Sequence, residues 1–471
     1  MRDLYHQFRK LLSLCFLATS TIILLQACTT SSSSYNYDID PWINASSRAP
    51  MDPAQEIPSD LSVAAVNRQS LGAPESQTSQ YTRSPRGTTS RTVKVAILLP
   101  LSGSHEKLGQ AMLNAAQMAV FDIGHKHFEL MPYDTYGTPE GARNATRNAL
   151  KDGARLVLGP VFSRSVRAAR EITQAANINM IAFSTDWTLA NNKTYLIGFL
   201  PFDQIQRITE FATNTGYRRI CMISPTDTYG NAVVAAYQAF SRKYGMQDTC
   251  IERFSTDKNE LSRAMRRLTR YDQRKAIQKA KEEELKLSGL SPEEAQAAAL
   301  KDYQEQDPPF DAILMPVGGP LAREIGSFLN HYDLPPGKVK RLGTGLFDDN
   351  ALAQDSALRG AWFASSEPLS RTKFERRYTQ YYNQTPPRLS SLAYDATAFS
   401  VILAYTGLQQ NGSPAYDRQS ITNPNGFSGI DGIFRFRPDG IVERGLAVLE
   451  YKNGRISVIN QAPDTFQKLA N

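Results

Sequence analysis

Cysteine and histidine are both scarce: four and five, respectively, among 471 residues. The usual reactive signatures are missing too. There is no Gly-x-Ser-x-Gly elbow, no Walker loop, no His-Glu-x-x-His and no Cys-x-x-Cys, so the sequence offers no nucleophile, phosphate cradle or metal ligand set. Gly343-Thr344-Gly345 follows a strand-like run but lacks a third glycine, which makes it a turn. His125 and His127 fall at a helix end, where they complement the helix dipole better than they make a metal site. The expected protein is not an enzyme and carries no cofactor and no metal. A concentrated basic face is also lacking. The formal charge is only +7, and the densest basic stretch, 263–281, runs into acids further on and holds a single aromatic, Tyr271. Nucleic acid is therefore excluded as a partner.

The one long apolar run, 11–25, is about 15 residues and carries Ser13, Thr19, Ser20 and Thr21, short of the roughly 20 that a membrane span needs. Arg2, Arg9 and Lys10 precede it and Leu25-Gln26-Ala27-Cys28 closes it, the layout of a secretory leader. The Leu-x-Ala-Cys ending resembles the lipobox of bacterial lipoproteins, which implies cleavage after residue 27 and acylation of Cys28. The residue after Cys28 is Thr29 rather than aspartate. In a Gram-negative host that implies an outer-membrane lipid anchor facing the periplasm. Losing 1–27 removes Arg2, Arg9 and Lys10 against Asp3, lowering the formal charge from +7 to +5.

Residues 28–91 are rich in Ser, Thr, Pro, Gln and Asn without a sustained apolar period, and read as a disordered tether. From Val93 the texture becomes strands alternating with helices. The apolar run 93–99 marks a strand covered on both faces of a parallel sheet. Thr138-Pro139-Glu140 opens a helix with a capping hydroxyl and a proline at its first position, and Asp152-Gly153 closes it. Further strand-like runs fall at 155–158, 179–183, 219–223, 249–254 and 312–315, and repeated βα units imply doubly wound sheets. The stretch 430–459 reads as antiparallel hairpins. Residues 258–306 break the rhythm as a charged helical insertion, its second helix opened by Ser291-Pro292-Glu293-Glu294. Cys221 and Cys250 lie in strands flanking one helix, and the sequence leaves open a disulfide or two buried thiols.

Tyr133-Asp134-Thr135, Leu156-Val157-Leu158-Gly159-Pro160-Val161-Phe162-Ser163, Ile181-Ala182-Phe183-Ser184-Thr185, Asp227-Thr228-Tyr229-Gly230 and Ile433-Phe434-Arg435-Phe436 occur in a telling order. Together they resemble type I periplasmic binding proteins of the leucine/isoleucine/valine class, over about residues 92 to 460. Within that group, the run from Val95 to Gly103 with Leu108-Gly109-Gln110 is most similar to lipoprotein activators of penicillin-binding proteins. The helical-repeat domain that such activators place before this body is replaced here by the tether. The resemblance implies an α/β, two-lobed fold in which each lobe is a doubly wound, mainly parallel sheet, with the helical insertion in lobe two. It puts lobe one at 92–200 with 365–425, lobe two at 201–364 with 426–460, and a tail at 461–471. The crossings are expected near 200–201, 365–368 and 426–428.

The same resemblance implies a ligand between the lobes. A carboxylate would sit on hydroxyls and N–H groups at helix starts, at Ser102, Ser104, Ser163, Ser184 and Thr185. Tyr229 would lay a ring against it, and Asp186, Asp227 or Asp348 would take an ammonium. These hydroxyls equally suit plain helix capping. The leading expectation is a non-catalytic, lipid-anchored regulator that touches a penicillin-binding protein in peptidoglycan synthesis. The alternative is a receptor that delivers an amino acid or related small solute to an ABC transporter. Cys28→Ser should leave the chain unlipidated and uncleaved or soluble. Normal membrane attachment of that variant, with no acyl mass on the wild-type peptide, would remove the anchor from the account.

Overall fold

The computed structural model describes residues 92–246, 249–255 and 257–467. The leader, Cys28, the tether and the last residues of the tail lie outside the described residues.

Lobe one is organised by β1 (Val93–Leu99), β2 (Phe128–Asp134), β3 (Leu156–Leu158), β4 (Met180–Ala182) and β5 (Thr194–Leu196), all parallel in the order 2-1-3-4-5. Successive side chains of β1 feed opposite faces. Val93, Val95, Ile97 and Leu99 enter one core, and Ala96 and Leu98 the other. That double burial is why the strand reads as an unbroken apolar run. The helices Glu106–Ile123 and Ser390–Asn411 cover the first face. Pro139–Lys151 and Ser163–Ala175 cover the second.

Lobe two is built on β6 (Ile220–Pro225), β7 (Cys250–Phe254), β8 (Ala312–Met315), β9 (Lys340–Gly343) and β10 (Trp362–Ser365), again parallel. A small antiparallel sheet follows, β11 (Phe427–Gly429), β12 (Gly432–Phe436) and β13 (Val442–Arg444). The hairpin β14 (Ala447–Lys452) and β15 (Arg455–Asn460) then completes the lobe-two sheet in the order 15-14-10-9-8-6-7, with β14 antiparallel to β10.

Two boundaries differ from the sequence reading. The small sheet packs with lobe one: Phe434, Phe436 and Val442 share a core with Phe183, Leu392 and Phe399. The third passage between lobes therefore falls at 444–447, where Leu446 and Ala447 enter the lobe-two cores, and not at 426–428. Aromatic spacing gave no sign of which lobe would take the hairpin. The insertion is also shorter than 258–306. In the helix Lys258–Leu268, Leu261, Ala264, Met265 and Leu268 are buried in lobe two. The excursion is the pair Tyr271–Leu287 and Pro292–Glu305, and the first of these helices buries no residue. Ser291 and Glu294 form the reciprocal capping box that their spacing suggested.

Cys221 and Cys250 face each other in register on β6 and β7, with Cα atoms 4.6 Å apart, and are joined as a disulfide. The bond closes a loop over a sequence separation of 29. Chain entropy makes it worth about 2–4 kcal/mol. Paired Cys221→Ser and Cys250→Ser should lower unfolding free energy by that amount in urea titrations under oxidising conditions. Reductant should bring the wild type down to the variant and leave the variant unmoved.

Candidate functional site

Parallel strands send every β-to-α turn to one end of a sheet, and in lobe one that end carries most of the candidate hydroxyls. Ser163 opens a 13-residue helix whose cap position is Phe162, a side chain with no acceptor. The turn before it needs Gly159, at φ +86°, where a Cβ would lie 2.4 Å from the Leu98 carbonyl oxygen. Ser165, in the same first turn, holds a buried hydroxyl with no partner among the described residues. Ser184 is buried and its Oγ accepts the Asp186 N–H at 3.1 Å. Thr185 beside it is half-buried.

The first loop is already committed. Ser102 donates to Asp134 at 2.6 Å, and Asp134 also accepts from the Leu101 and Tyr136 N–H groups. These bonds outweigh burial and hold its carboxyl below the usual range. Ser104 stands exposed in a single 3-10 turn.

The carboxylates divide sharply. Asp348 is not available to an ammonium: it lies buried against Arg371, with a 2.9 Å bond from Nη2 and a 3.1 Å bond from Ser365 Oγ. Although burial works against the charge, Asp348 holds the Arg371 guanidinium firmly protonated. Asp186 caps its own turn through Thr188 and lies 3.7 Å from Arg167. Asp227 caps the helix Thr228–Lys243 by accepting Gly230 N–H at 2.6 Å, while its Oδ2 is buried without a hydrogen-bond partner. Tyr229 packs partly buried against the lobe-two core.

Aromatic side chains without a sequence motif of their own meet between the lobes. The Trp187 ring of lobe one meets Phe202 of lobe two edge-on at 5.5 Å, and Leu346 of lobe two packs onto the lobe-one core. Phe162 lies 4.6 Å from the His105 ring. Among the described residues no three His, Cys, Asp or Glu side chains are grouped to hold a metal.

Behind these groups the crossings converge on a buried charged junction. Arg444 Nη2 donates to the Ile197 carbonyl at 2.6 Å, and its guanidinium lies 5.1 Å from the Phe199 ring. Arg388 is placed 4.0 Å from the same ring and pairs with Asp431 at 2.6 Å. Burial opposes ionisation of Asp431, but the Arg388 pair keeps its carboxyl below the usual range. Asp395 accepts the Ile430 N–H at 2.7 Å, and burial with Asp431 nearby pushes it up. Asp203, at the first turn of the helix Pro201–Asn214, accepts the Arg444 N–H at 2.8 Å and so ties the first crossing to the third. The crossings enclose only about 10 Å³, the space of one water. A groove of about 320 Å³ outside them is lined by Arg207, Glu210, Glu443 and Arg444. Its Arg207 already donates to the Leu446 and Gln461 carbonyls.

Comparison with known proteins follows from this geometry. The family profile described as Periplasmic binding protein matches residues 92–455. An ABC transporter substrate-binding protein from Desulfitobacterium hafniense in complex with Leu is 16% identical, with a TM-score of 0.53, covering 78% of this chain and 100% of its own. A solute-binding protein of an ABC transporter from Rhodopseudomonas palustris BisB5 in complex with 3,4-dihydroxybenzoic acid is 16% identical. Its TM-score is 0.52, and the match covers 79% of this chain and 96% of that one. At such identities the likeness is one of fold. An uncharacterized protein of Rickettsia prowazekii is 25% identical over 122 residues, 26% of this chain. The chain spans about a third, 32%, of the length of that relative.

Burial pushes the Asp203 carboxyl up to about 7, Arg444 and Arg437 only partly compensating. Between its ordinary value and 7 the folded chain holds a proton that the unfolded chain has released, so stability falls as pH rises through that window. Asp203→Asn keeps an acceptor for the Arg444 N–H and removes the charge. It should be more stable than the wild type at pH 8, by up to about 4 kcal/mol, with the difference gone near pH 4. Urea titrations at both pH values check this, and a variant less stable at pH 8 would contradict it.

Proposed function

Because the chain belongs to the periplasmic binding protein family, we propose that it is a non-catalytic receptor holding an amino acid or closely related small carboxylate between its lobes. In this reading it serves an ABC transporter and is tethered through acylated Cys28, facing the periplasm. Two features carry the ligand class: in lobe one a helix start with hydroxyls, and in lobe two a helix-capping carboxylate with an oxygen left without a hydrogen bond; their facing each other across the cleft is part of the proposal. Ser163, Ser184 and Thr185 would receive the ligand carboxylate, where the helix dipole favours an anion. Asp227 Oδ2 would receive the ammonium, since Asp186 and Asp348 are spent on Arg167 and Arg371. Phe162, Trp187, Phe202 and Tyr229 would close around an apolar side chain. The relatives in complex with Leu and with 3,4-dihydroxybenzoic acid support a small carboxylate and leave the ammonium to be tested.

A second reading remains attached to the lipoprotein features: a regulator that touches a penicillin-binding protein through its surface. The direct Trp187–Phe202 contact between lobes favours it, because those rings already cover each other.

A thermal-shift screen over amino acids, their deaminated analogues and aromatic carboxylates separates the readings. Ligand at a hundred times its dissociation constant should add about 2.7 kcal/mol of stability. Asp227→Asn keeps the helix cap and should weaken an amino acid about 10- to 100-fold, as expected for losing one charge-assisted bond. Deaminated analogues should be unaffected by it. A flat screen, together with stimulation of a purified penicillin-binding protein, would transfer the assignment to the regulator.

A further inference from the structure

The end of lobe one opposite the candidate site is made of strand starts, and backbone hydrogen bonds there align a row of basic side chains. Val93 N–H donates to His127 O at 2.8 Å, Arg155 N–H to Lys94 O at 2.8 Å and Met180 N–H to Lys193 O at 2.9 Å. With the strand order 2-1-3-4-5, Lys126, Lys94, Arg155 and Lys193 therefore follow one another along an edge about 20 Å across. Lys151 joins them at the end of the helix Pro139–Lys151, where Lys94 Nζ donates to the Asp152 carbonyl at 3.2 Å. Arg418 closes the far side, since Asn179 Nδ2 donates to the Tyr416 carbonyl at 2.6 Å. The acids at this end are Asp122, Glu129, Asp152, Asp417 and Asp439, of which Asp122 pairs with Arg377 and Asp439 with Arg437. Asp152 accepts the Tyr133 hydroxyl at 2.7 Å, and Asp417 caps the turn Arg418–Ile421. Complementing a helix dipole accounts for Lys151, but Lys94, Arg155 and Lys193 stand on strands and loops.

Two further features share this end. Phe121, in the last turn of the helix Glu106–Ile123, is 82% exposed, and Tyr405 is half-exposed with its ring 5.2 Å from His125. The chain also enters the body here, at Val93, so whatever holds the segment before residue 92 holds the molecule by this end.

We infer that the strand-start end of lobe one is a docking surface for an anionic lipid layer. Lys94, Lys126, Lys151, Arg155, Lys193 and Arg418 supply the attraction, since Asp122 and Asp439 are paired with Arg377 and Arg437, and Phe121 with Tyr405 supplies rings suited to the headgroup region. Docked this way, the body turns its strand ends, and with them the cleft, away from the lipid. The surface acts without the acyl chain and is independent of which ligand the cleft takes.

The chain from residue 28 onward, made without the leader and carrying Cys28→Ser so that neither acyl group nor leader contributes, is floated with vesicles of phosphatidylcholine alone or with one-third phosphatidylglycerol. The phosphatidylglycerol-dependent part of binding should fall at least tenfold when Lys126→Glu, Lys151→Glu, Arg155→Glu and Lys193→Glu are combined, and should fade at high salt. A control set with the same charge change on lobe two, Arg263→Glu, Lys279→Glu, Lys301→Glu and Lys452→Glu, should bind as the parent does. Equal loss in both sets would make net charge the cause and overturn the surface. So would unchanged binding of the first set with its melting curve intact. Retention on dextran sulfate without vesicle flotation would instead assign the row to an acidic polymer and remove the lipid.

Discussion

Parallel strand pairing is the constraint from which the rest of this molecule follows. A parallel strand must be reached by a crossover, so every turn into a helix lies at one end of the sheet and every return at the other. In lobe one the first end gathers Ser163, Ser184 and Thr185, and the second gathers Lys94, Lys126, Arg155 and Lys193. No residue is chosen for both. The two ends differ in chemistry because the topology separates them, with about one strand length of packed core in between.

The second organising element is the junction through which the chain passes three times. Backbone that crosses between two cores cannot complete its hydrogen bonds within either sheet, and the side chains gathered there take up that role. Arg444 reaches the Ile197 carbonyl, Gln204 accepts the Gly345 N–H at 2.8 Å, and Asp203 accepts the Arg444 N–H. Burying Arg388, Asp395, Asp431 and Arg444 together is costly; Arg388 pairs with Asp431 inside lobe one, while Arg444 ties the third crossing to the first through the Ile197 carbonyl. Asp348 and Arg371 repeat the pattern at the second crossing. Relative movement of the lobes has to preserve or exchange the Asp348–Arg371 pair and the Asp203–Arg444 bond.

These facts also bear on what the cleft can hold. Of the three candidate carboxylates, Asp348 is paired with Arg371, Asp186 lies 3.7 Å from Arg167, and Asp227 has a buried oxygen without a hydrogen-bond partner among the described residues. These placements are what the proposed receptor reading, a short zwitterion or carboxylate at a helix start, draws on.

Much of this was legible in the sequence, and the reasons are local. The double burial of β1 shows as an apolar run, the helix starts at Thr138 and Ser291 show as caps followed by proline, and the strand–helix alternation shows as changes of period. Each of these is set within a few residues. Cys221 and Cys250 could be placed on strands but not joined, because joining depends on register between β6 and β7. The pairings of Asp348 with Arg371 and of Asp203 with the Arg444 backbone left no trace, since the latter partners stand 241 residues apart and neither spacing nor composition marks them. For the same reason β11–β13 were assigned to the wrong lobe: their alternation fixes a hairpin, and only packing against Phe399 decides which core it serves. The sequence by itself determined the elements, their caps and their order, because those are short-range properties of the chain. Which charges are neutralised, and which remain for a ligand, was decided by tertiary structure, because that depends on side chains brought together only after the chain has crossed between its lobes three times.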